Sequence, residues 1–390
     1  VLNPNHAGTF SNRGNVLQEL KRLDEALASH VQAIKINPDY AEAYYNHGNV
    51  LQELKRLDEA LASYNQAITI NPDHANAHWN ASICNLIRGN FKAGWPGYEW
   101  RWSHFQCASE PLQTNKPAWD YQKTDQRLLV WAEQGIGDHI FYGSLLSELL
   151  EDVPNLLVQI DKRLIPIFTR SLPKIKFYPD DIKLLESDYD VHVAIGSLGK
   201  YLRNDEKDFL RSKNKFFISD QKRTQHIRQE LSVPKKLICG ISWKSGSGMT
   251  GTNKSLSLEK LATIFDPEKI SLVNLQYGDV SKDIDLLRSK SNIELIQYDS
   301  IDNFNDLDGV ASLIDACDFI VSVDNVTIPV ASALGKKTFV LLSYNPEWRI
   351  LFNRDESPWY PSASLYRQER LGDWDAALEK LKAELLKFIN

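Results

Sequence analysis

The sequence predicts an all-helical repeat array joined to a two-lobed α/β region, and three observations carry that prediction. A string of sixteen residues, GNVLQELKRLDEALAS, occupies 14–29 and returns unchanged at 48–63, an offset of 34. Chance does not supply such a recurrence, and a period of this length marks stacked helical units. Beyond Pro111 and Pro117 the chain changes to short apolar bursts separated by loops and helical stretches. Those bursts do not alternate apolar with polar residues, which is how parallel strands covered on both faces by crossover helices read.

The totals agree with a globular chain of two or three domains: 390 residues, 43% hydrophobic and 25% charged. The net charge is -6, with lysines and arginines spread along the chain. A nucleic-acid partner, which needs a basic surface, is not expected. Cys84, Cys107, Cys239 and Cys317 are too scattered for a metal knuckle or a disulfide framework, and read as free thiols in a reducing compartment. No ligand cluster suggests a metal or cofactor. No run of 18 apolar residues and no secretion signal occur, so no membrane span and a cytoplasmic location are expected. Val1 stands where an initiator methionine would, so removal of a preceding segment is the alternative.

Each repeat copy reads as two helices. Gly14 or Gly48 lets the partner helix approach, Ala26 or Ala60 and Ala33 or Ala67 give small contacts, and Asn-Pro at 37–38 and 71–72 punctuates the junction. The pattern resembles the tetratricopeptide repeat, with units at 7–40 and 41–74 and a degenerate third at 75–108. There Ser82 takes the glycine position and Gly94 an alanine position, ahead of the aromatic run GWPGYEWRW at 94–102. Trp95, Trp100 and Trp102 read as core and interdomain packing before a ligand platform. Leu2-Asn3-Pro4 matches Ile36-Asn37-Pro38 in the same register, so a longer array with further repeats is expected. Asn12, Asn15, Asn46, Asn49 and Asn80 recur on first helices, where they could hold an extended peptide or protein partner on a concave face. Solvated faces that merely support the next domain are the alternative.

After a connector at 109–125, a first Rossmann-like lobe is expected over 126–225. It has strands at 127–132, 156–161, 174–179 and 189–195, and the turn EQGIGDHI leads into a helix. The charged stretch 205–235 carries the passage between lobes. A second lobe over 226–390 has strands at 236–243, 271–277, 293–298, 318–324 and 337–343, and a closing amphipathic helix at 373–389. Two such lobes leave a cleft at the carboxyl ends of their strands, where open α/β sheets bind ligands.

WAEQGIGDHI, the SLSLEKL segment after a glycine-rich loop, VSVD leading into ASALG, and YNPEWRILFNRDESPWYPSASLYRQ together resemble the heptosyltransferase-related, family 9-like glycosyltransferases of the GT-B fold. They are most similar to bacterial proteins in which tetratricopeptide repeats precede that domain. The resemblance implies a metal-independent glycosyltransferase that moves a sugar from a nucleotide-diphosphate donor, held by the second lobe, to an acceptor on the first. The acceptor is a protein, peptide or glycan, and the repeats are its natural recruiter.

The resemblance also implies residue roles. Asp138, after Gly135-Ile136-Gly137, matches the general base that takes the acceptor hydroxyl proton, with Glu133 as its substitute; the residues alone leave a helix cap open as the other reading. Gly137 belongs to the binding positions. Lys244 resembles a diphosphate-binding cation, with Ser245 or Ser247 as hydrogen-bond donors. Asp324, Asn325 and Thr327 match the turn that holds sugar and diphosphate ahead of a helix, and Arg349 could contact phosphate or base beside Trp348, which reads as packing. Pro358-Trp359-Tyr360-Pro361 secures the returning chain, and Asp302, Asp306 and Asp308 read as caps. Gly246, Gly248 and Gly251 have GxGxxG spacing, but the helical stretch LATIFD starts 10 residues after Gly251, so they do not open a helix as a dinucleotide fingerprint requires. One departure stands out: Val326 and Pro329 occupy positions where relatives carry a small residue and a histidine. It favours the rival reading of an inactive GT-B scaffold or protein-interaction module.

Overall fold

The computed structural model describes residues 6–104, 109–211, 215–246 and 248–389. Leu2-Asn3-Pro4, Cys107 and Ser247 therefore lie outside the described residues. The chain forms two compact units, one of helices up to Pro111 with the segments Gly199–Asp208 and Glu347–Phe352, the other of the α/β elements.

The helical unit contains α1 (Ala7–Glu19), α2 (Leu23–Ile36), α3 (Ala41–Glu53), α4 (Leu57–Ile70), α5 (Ala75–Ile87) and α6 (Phe91–Tyr98), the last running into a 3-10 turn at Glu99–Ser103. They pack as the pairs α1/α2, α3/α4 and α5/α6, in the register read from the sequence. Close approach explains the glycines. A Cβ on Gly14 would lie 2.4 Å from the His30 ring, and one on Gly48 2.6 Å from the Tyr64 ring. His30 is fully buried, and burial pushes its pKa down to about 4. Of the recurring asparagines, Asn46 donates to Ser11 Oγ at 3.3 Å, and Asn49 Oδ1 accepts from Tyr64 Oη and Asn80 Nδ2, both at 2.9 Å. Asn12 is exposed.

The third pair ends in the aromatic run. Trp95 is fully buried, donates from Nε1 to the Arg203 carbonyl at 2.5 Å and meets Trp348 edge-on at 5.6 Å. A Cβ on Gly199 would lie 2.3 Å from the Trp95 ring, so both returning segments are fitted around this indole. Trp100 stacks on His78 at 4.1 Å, and the Arg101 guanidinium lies 4.3 Å from the Trp102 ring. Trp95 is thus a core residue of this unit, while Trp100 and Trp102 are half-buried.

The two identical strings offer an internal control. Val50 on α3 is fully buried against Leu17 and Ala26, whereas its counterpart Val16 on α1 is 55% exposed. Val50→Ala is expected to cost about 2 kcal/mol and Val16→Ala less than about 0.5, although the flanking sequence is the same. Urea denaturation of both variants checks this.

The α/β unit begins with β1 (Leu128–Trp131), α7 (Ile136–Gly143), α8 (Leu146–Asp152), β2 (Leu156–Ile160), α9 (Ile165–Ser171), β3 (Lys176–Pro179) and β4 (Val191–Ala194). After α10 (Leu198–Leu202), most of which belongs to the helical unit, come α11 (Gln221–Leu231), β5 (Leu237–Ser242), α12 (Gly248–Lys254), α13 (Leu258–Ala262), β6 (Ile270–Asn274), α14 (Ser281–Lys290) and β7 (Leu295–Ile296). The chain ends with α15 (Leu307–Ala316), β8 (Phe319–Val323), α16 (Thr327–Ala333), β9 (Thr338–Leu342), β10 (Ala363–Arg367) and α17 (Asp375–Ile389).

Among the described residues these strands make two parallel sheets, β3-β2-β1-β4 and β10-β9-β8-β5-β6-β7. Counted within its own lobe, the second has the doubly wound order 3-2-1-4-5-6, whose direction reverses between β5 and β8. The first reverses between β1 and β4. These are the two Rossmann-like lobes expected.

Three details differ from the sequence reading. α11 packs against α15, so it belongs whole to the second lobe, which starts at its N-cap Asp220 and not after residue 225. β7 is only Leu295–Ile296, shorter than the apolar run suggests. A short helix, α12, does open within the glycine loop. Gly251 makes it fit, because a Cβ there would lie 2.5 Å from the Ser245 carbonyl oxygen.

Candidate functional site

Switch points are where a doubly wound sheet parts its loops and leaves room for a ligand. In the second lobe this is the junction of the turn after β5 with the turn after β8. At the end of β8, Asp324 forms an ion pair with Lys254, the last residue of α12, at 3.1 Å; the side chains are 15% and 8% exposed. Two charges at such burial are tolerated only when paired or given further polar partners. Lys254 was not among the candidate residues of the sequence reading. Lys244, nearer to the strand, is instead ion-paired with Asp283 of α14, and Trp243 Nε1 donates to the same carboxylate at 3.3 Å.

Side-chain amides hold the turn after β5. Gln276 Oε1 accepts three hydrogen bonds: from Ser242 Oγ at 2.9 Å, Trp243 N at 2.9 Å and Lys244 N at 2.8 Å. Asn325 Nδ2 donates to Ser242 Oγ at 2.6 Å and to the Lys244 carbonyl at 2.9 Å. Ser245 N donates to Ser255 Oγ at 3.0 Å, and Gly246 N to Tyr277 Oη at 2.9 Å.

The start of α16 is occupied in the same way. Thr327 N donates to Asn325 Oδ1 at 2.9 Å, Ile328 N to the Asn325 carbonyl at 3.2 Å, and Pro329 has no N–H to give. Asn325 therefore spends its side chain inward, and Thr327 is buried. The N–H groups of Thr327 and Ile328 at this end thus already have partners within the turn.

In the first lobe Asp138 lies in the opening turn of α7, half-buried, with Oδ2 accepting the Gly135 N–H at 3.2 Å. It thus does the work of a cap from inside the helix. A Cβ on Gly137 would meet nothing within 4 Å, so this backbone borders open space. Glu133 is buried and accepts the Gly196 N–H at 3.0 Å, tying the end of β1 to the turn after β4. That commitment makes it a structural carboxylate first. His139 points into the lobe: Nδ1 accepts the Asp161 N–H at 3.1 Å, and burial pushes its pKa down.

α7 and α16, the helices that follow the two switch-point strands, pack together. Ile140, Phe141, Pro329 and Ala333 share a cavity of about 30 Å³ with Phe209, Trp359 and Tyr360, room for no more than a water. Pro329 is thus part of an apolar joint between lobes. Trp359, 4.3 Å from Phe141, secures the returning chain as read. The lobes are also clasped where Arg163 donates to the Phe304 carbonyl at 2.9 Å and Arg170 pairs with Asp308. Asp302 and Asp306 cap local turns, while Asp308 is an interlobe partner. Arg349 lies in the segment Glu347–Phe352 of the helical unit, where its neighbour Trp348 is buried.

A cleft of about 320 Å³ lies beyond the carboxyl ends of β6 and β7, lined by Asn274, Gln276, Gln297, Asn303 and Phe304. Gln297 Nε2 and Asn303 Oδ1 are buried there without a hydrogen-bond partner. A donor and an acceptor left so are costly to keep dry, which suits a polar ligand edge. Among the described residues no group of three or more His, Cys, Asp or Glu could hold a metal ion, and no helix is long and apolar enough to cross a membrane. Cys84, Cys239 and Cys317 are buried free thiols.

Residues 5–73 match the tetratricopeptide-repeat family, and the pairs α1/α2 and α3/α4 are such repeats. Among individual proteins, FlbA of Caulobacter vibrioides is 28% identical over 325 residues, covering 78% of this chain and 54% of FlbA. The chain thus spans about half the length of that curated relative. Among solved structures, ADP-heptose lipopolysaccharide heptosyltransferase II of E. coli aligns at 16% identity over 67% of this chain and 99% of its own, with a TM-score of 0.47. MamA aligns at 22% identity over 25% of this chain and 58% of its own, with a TM-score of 0.25.

Proposed function

We propose that the α/β unit is a glycosyltransferase. Its second lobe holds the diphosphate of a nucleotide-sugar donor at the β5/β8 switch point, and Asp138 at the head of α7 takes the proton of the acceptor hydroxyl. The observation that carries this reading is the buried Lys254–Asp324 pair at the switch point, within a lobe whose helix α16 packs on α7. Diphosphate oxygens recruit Lys254, which also offsets the charge that grows on the leaving group. Asp324 is then released to the sugar hydroxyls. Ser245 lies on the same turn, and the amide-lined cleft over β6 and β7 takes the nucleoside. Gly137 leaves the backbone of the first lobe open to the acceptor, and the repeats recruit that acceptor as a protein or peptide. A cytoplasmic setting, where nucleotide sugars are made and thiols stay reduced, fits the three buried cysteines.

A second reading, a scaffold without transfer activity, draws on the occupied start of α16 and on Pro329 in the apolar joint. Calorimetric titration of the full chain with ADP-, GDP-, UDP- and CMP-linked sugars separates the two. One donor is expected to bind; no heat from any of them at millimolar concentration sinks the transferase reading and leaves the scaffold.

A further inference from the structure

We infer that Gln276 is the positioning residue of the donor site: its side-chain oxygen sets the shape of the turn that carries Lys244 and Ser245 and leads into α12, and through it the placing of Lys254. This rests on the proposed diphosphate site. Gln276 is 3% exposed and two residues beyond β6, so it belongs to neither switch-point strand. Its one oxygen takes the hydroxyl of Ser242 and the N–H groups of Trp243 and Lys244. Its own placement is fixed twice, by its N–H on Asn274 Oδ1 at 2.8 Å and by Asn303 Nδ2 on its carbonyl at 3.2 Å. Asn303 and Asn274 line the cleft over β6 and β7, and Asn274 Nδ2 donates to Gln297 Oε1 at 2.8 Å. One amide network therefore joins that cleft to the turn at the switch point. The next residue continues the template, since Tyr277 Oη takes the N–H of Gly246.

An acceptor is required at this position and a charge is not. Gln276 Nε2 donates to the Tyr277 carbonyl at 3.2 Å, and only a neutral group both accepts three hydrogen bonds and donates one. Protonated glutamate reproduces that pattern. Ionised glutamate faces the carbonyl with a lone pair and places a negative charge beside the diphosphate.

The test is titration of the full chain and of the Gln276→Glu and Gln276→Met variants with ADP, GDP, UDP and CDP, below the melting temperature of each. Gln276→Met is expected to weaken the preferred diphosphate more than about tenfold, the scale of one or two lost hydrogen bonds. Gln276→Glu should bind within about threefold of the unsubstituted chain at pH values where its carboxyl is protonated and fall more than about tenfold below it where the carboxyl is ionised; burial favours the protonated form and the three donors on its oxygen the ionised one. A residue that matters to folding alone does not give that pH-dependent rescue. If the unsubstituted chain binds and both variants match it at each pH, the positioning role is wrong while the donor site stands. If no diphosphate binds the unsubstituted chain, the donor site itself is wrong and the inference falls with it.

Discussion

Lys254→Met is expected to lower the stability of the α/β unit by about 3–5 kcal/mol, because Asp324 keeps its buried position and loses its ammonium partner. It should also abolish donor binding. Loss of binding from an unfolded chain proves nothing, so the double variant Lys254→Met, Asp324→Leu is the informative companion. An apolar pair in place of a buried ion pair is often neutral or stabilising, and the double variant is expected to recover most of the lost stability in urea denaturation. Donor titration should stay silent for both. Recovered stability with recovered binding means that the pair is a folding feature and that the diphosphate is held elsewhere.

That pair also shows where the sequence stopped being readable. The repeats were legible because their chemistry is periodic: the glycine that admits a ring and the alanines that admit a helix recur every 34 residues. The strands were legible because parallel strands buried on both faces need unbroken apolar runs. A site assembled by loops has no period. Reading outward from β5 favours Lys244, the first cation after the strand, yet the chain turns through α12 and brings back Lys254, while Lys244 goes to Asp283. Lys254 stands just before the SLSLEKL segment of the resemblance, where nothing ranked it above Lys244. Gln276 carried no signal at all, because its importance comes from three donors on one oxygen and from no feature of LQYGD. The segment that carries Arg349 belongs to the helical unit, where its neighbour Trp348 meets Trp95 edge-on.

Asp138→Asn is expected to leave the fold and donor binding intact and to cut transfer by about 10²–10⁴, the usual contribution of a positioned general base. The amide keeps an oxygen for the Gly135 N–H, so the head of α7 retains its cap. Losing a negative charge near a helix N-terminus costs no more than about 2 kcal/mol for a half-buried group. What disappears is the basic oxygen. The measurement is single-turnover transfer from the donor identified by titration to an acceptor recruited by the repeats, with melting temperature followed in parallel. Glu133→Gln supplies the contrast: the Gly196 N–H still finds an oxygen, and turnover should be preserved within a few-fold. Should Asp138→Asn turn over normally and Glu133→Gln not, the roles are exchanged, and the buried carboxylate must give up Gly196 to reach the acceptor. Should both turn over normally, Asp138 is a helix cap alone and the proton leaves by another route.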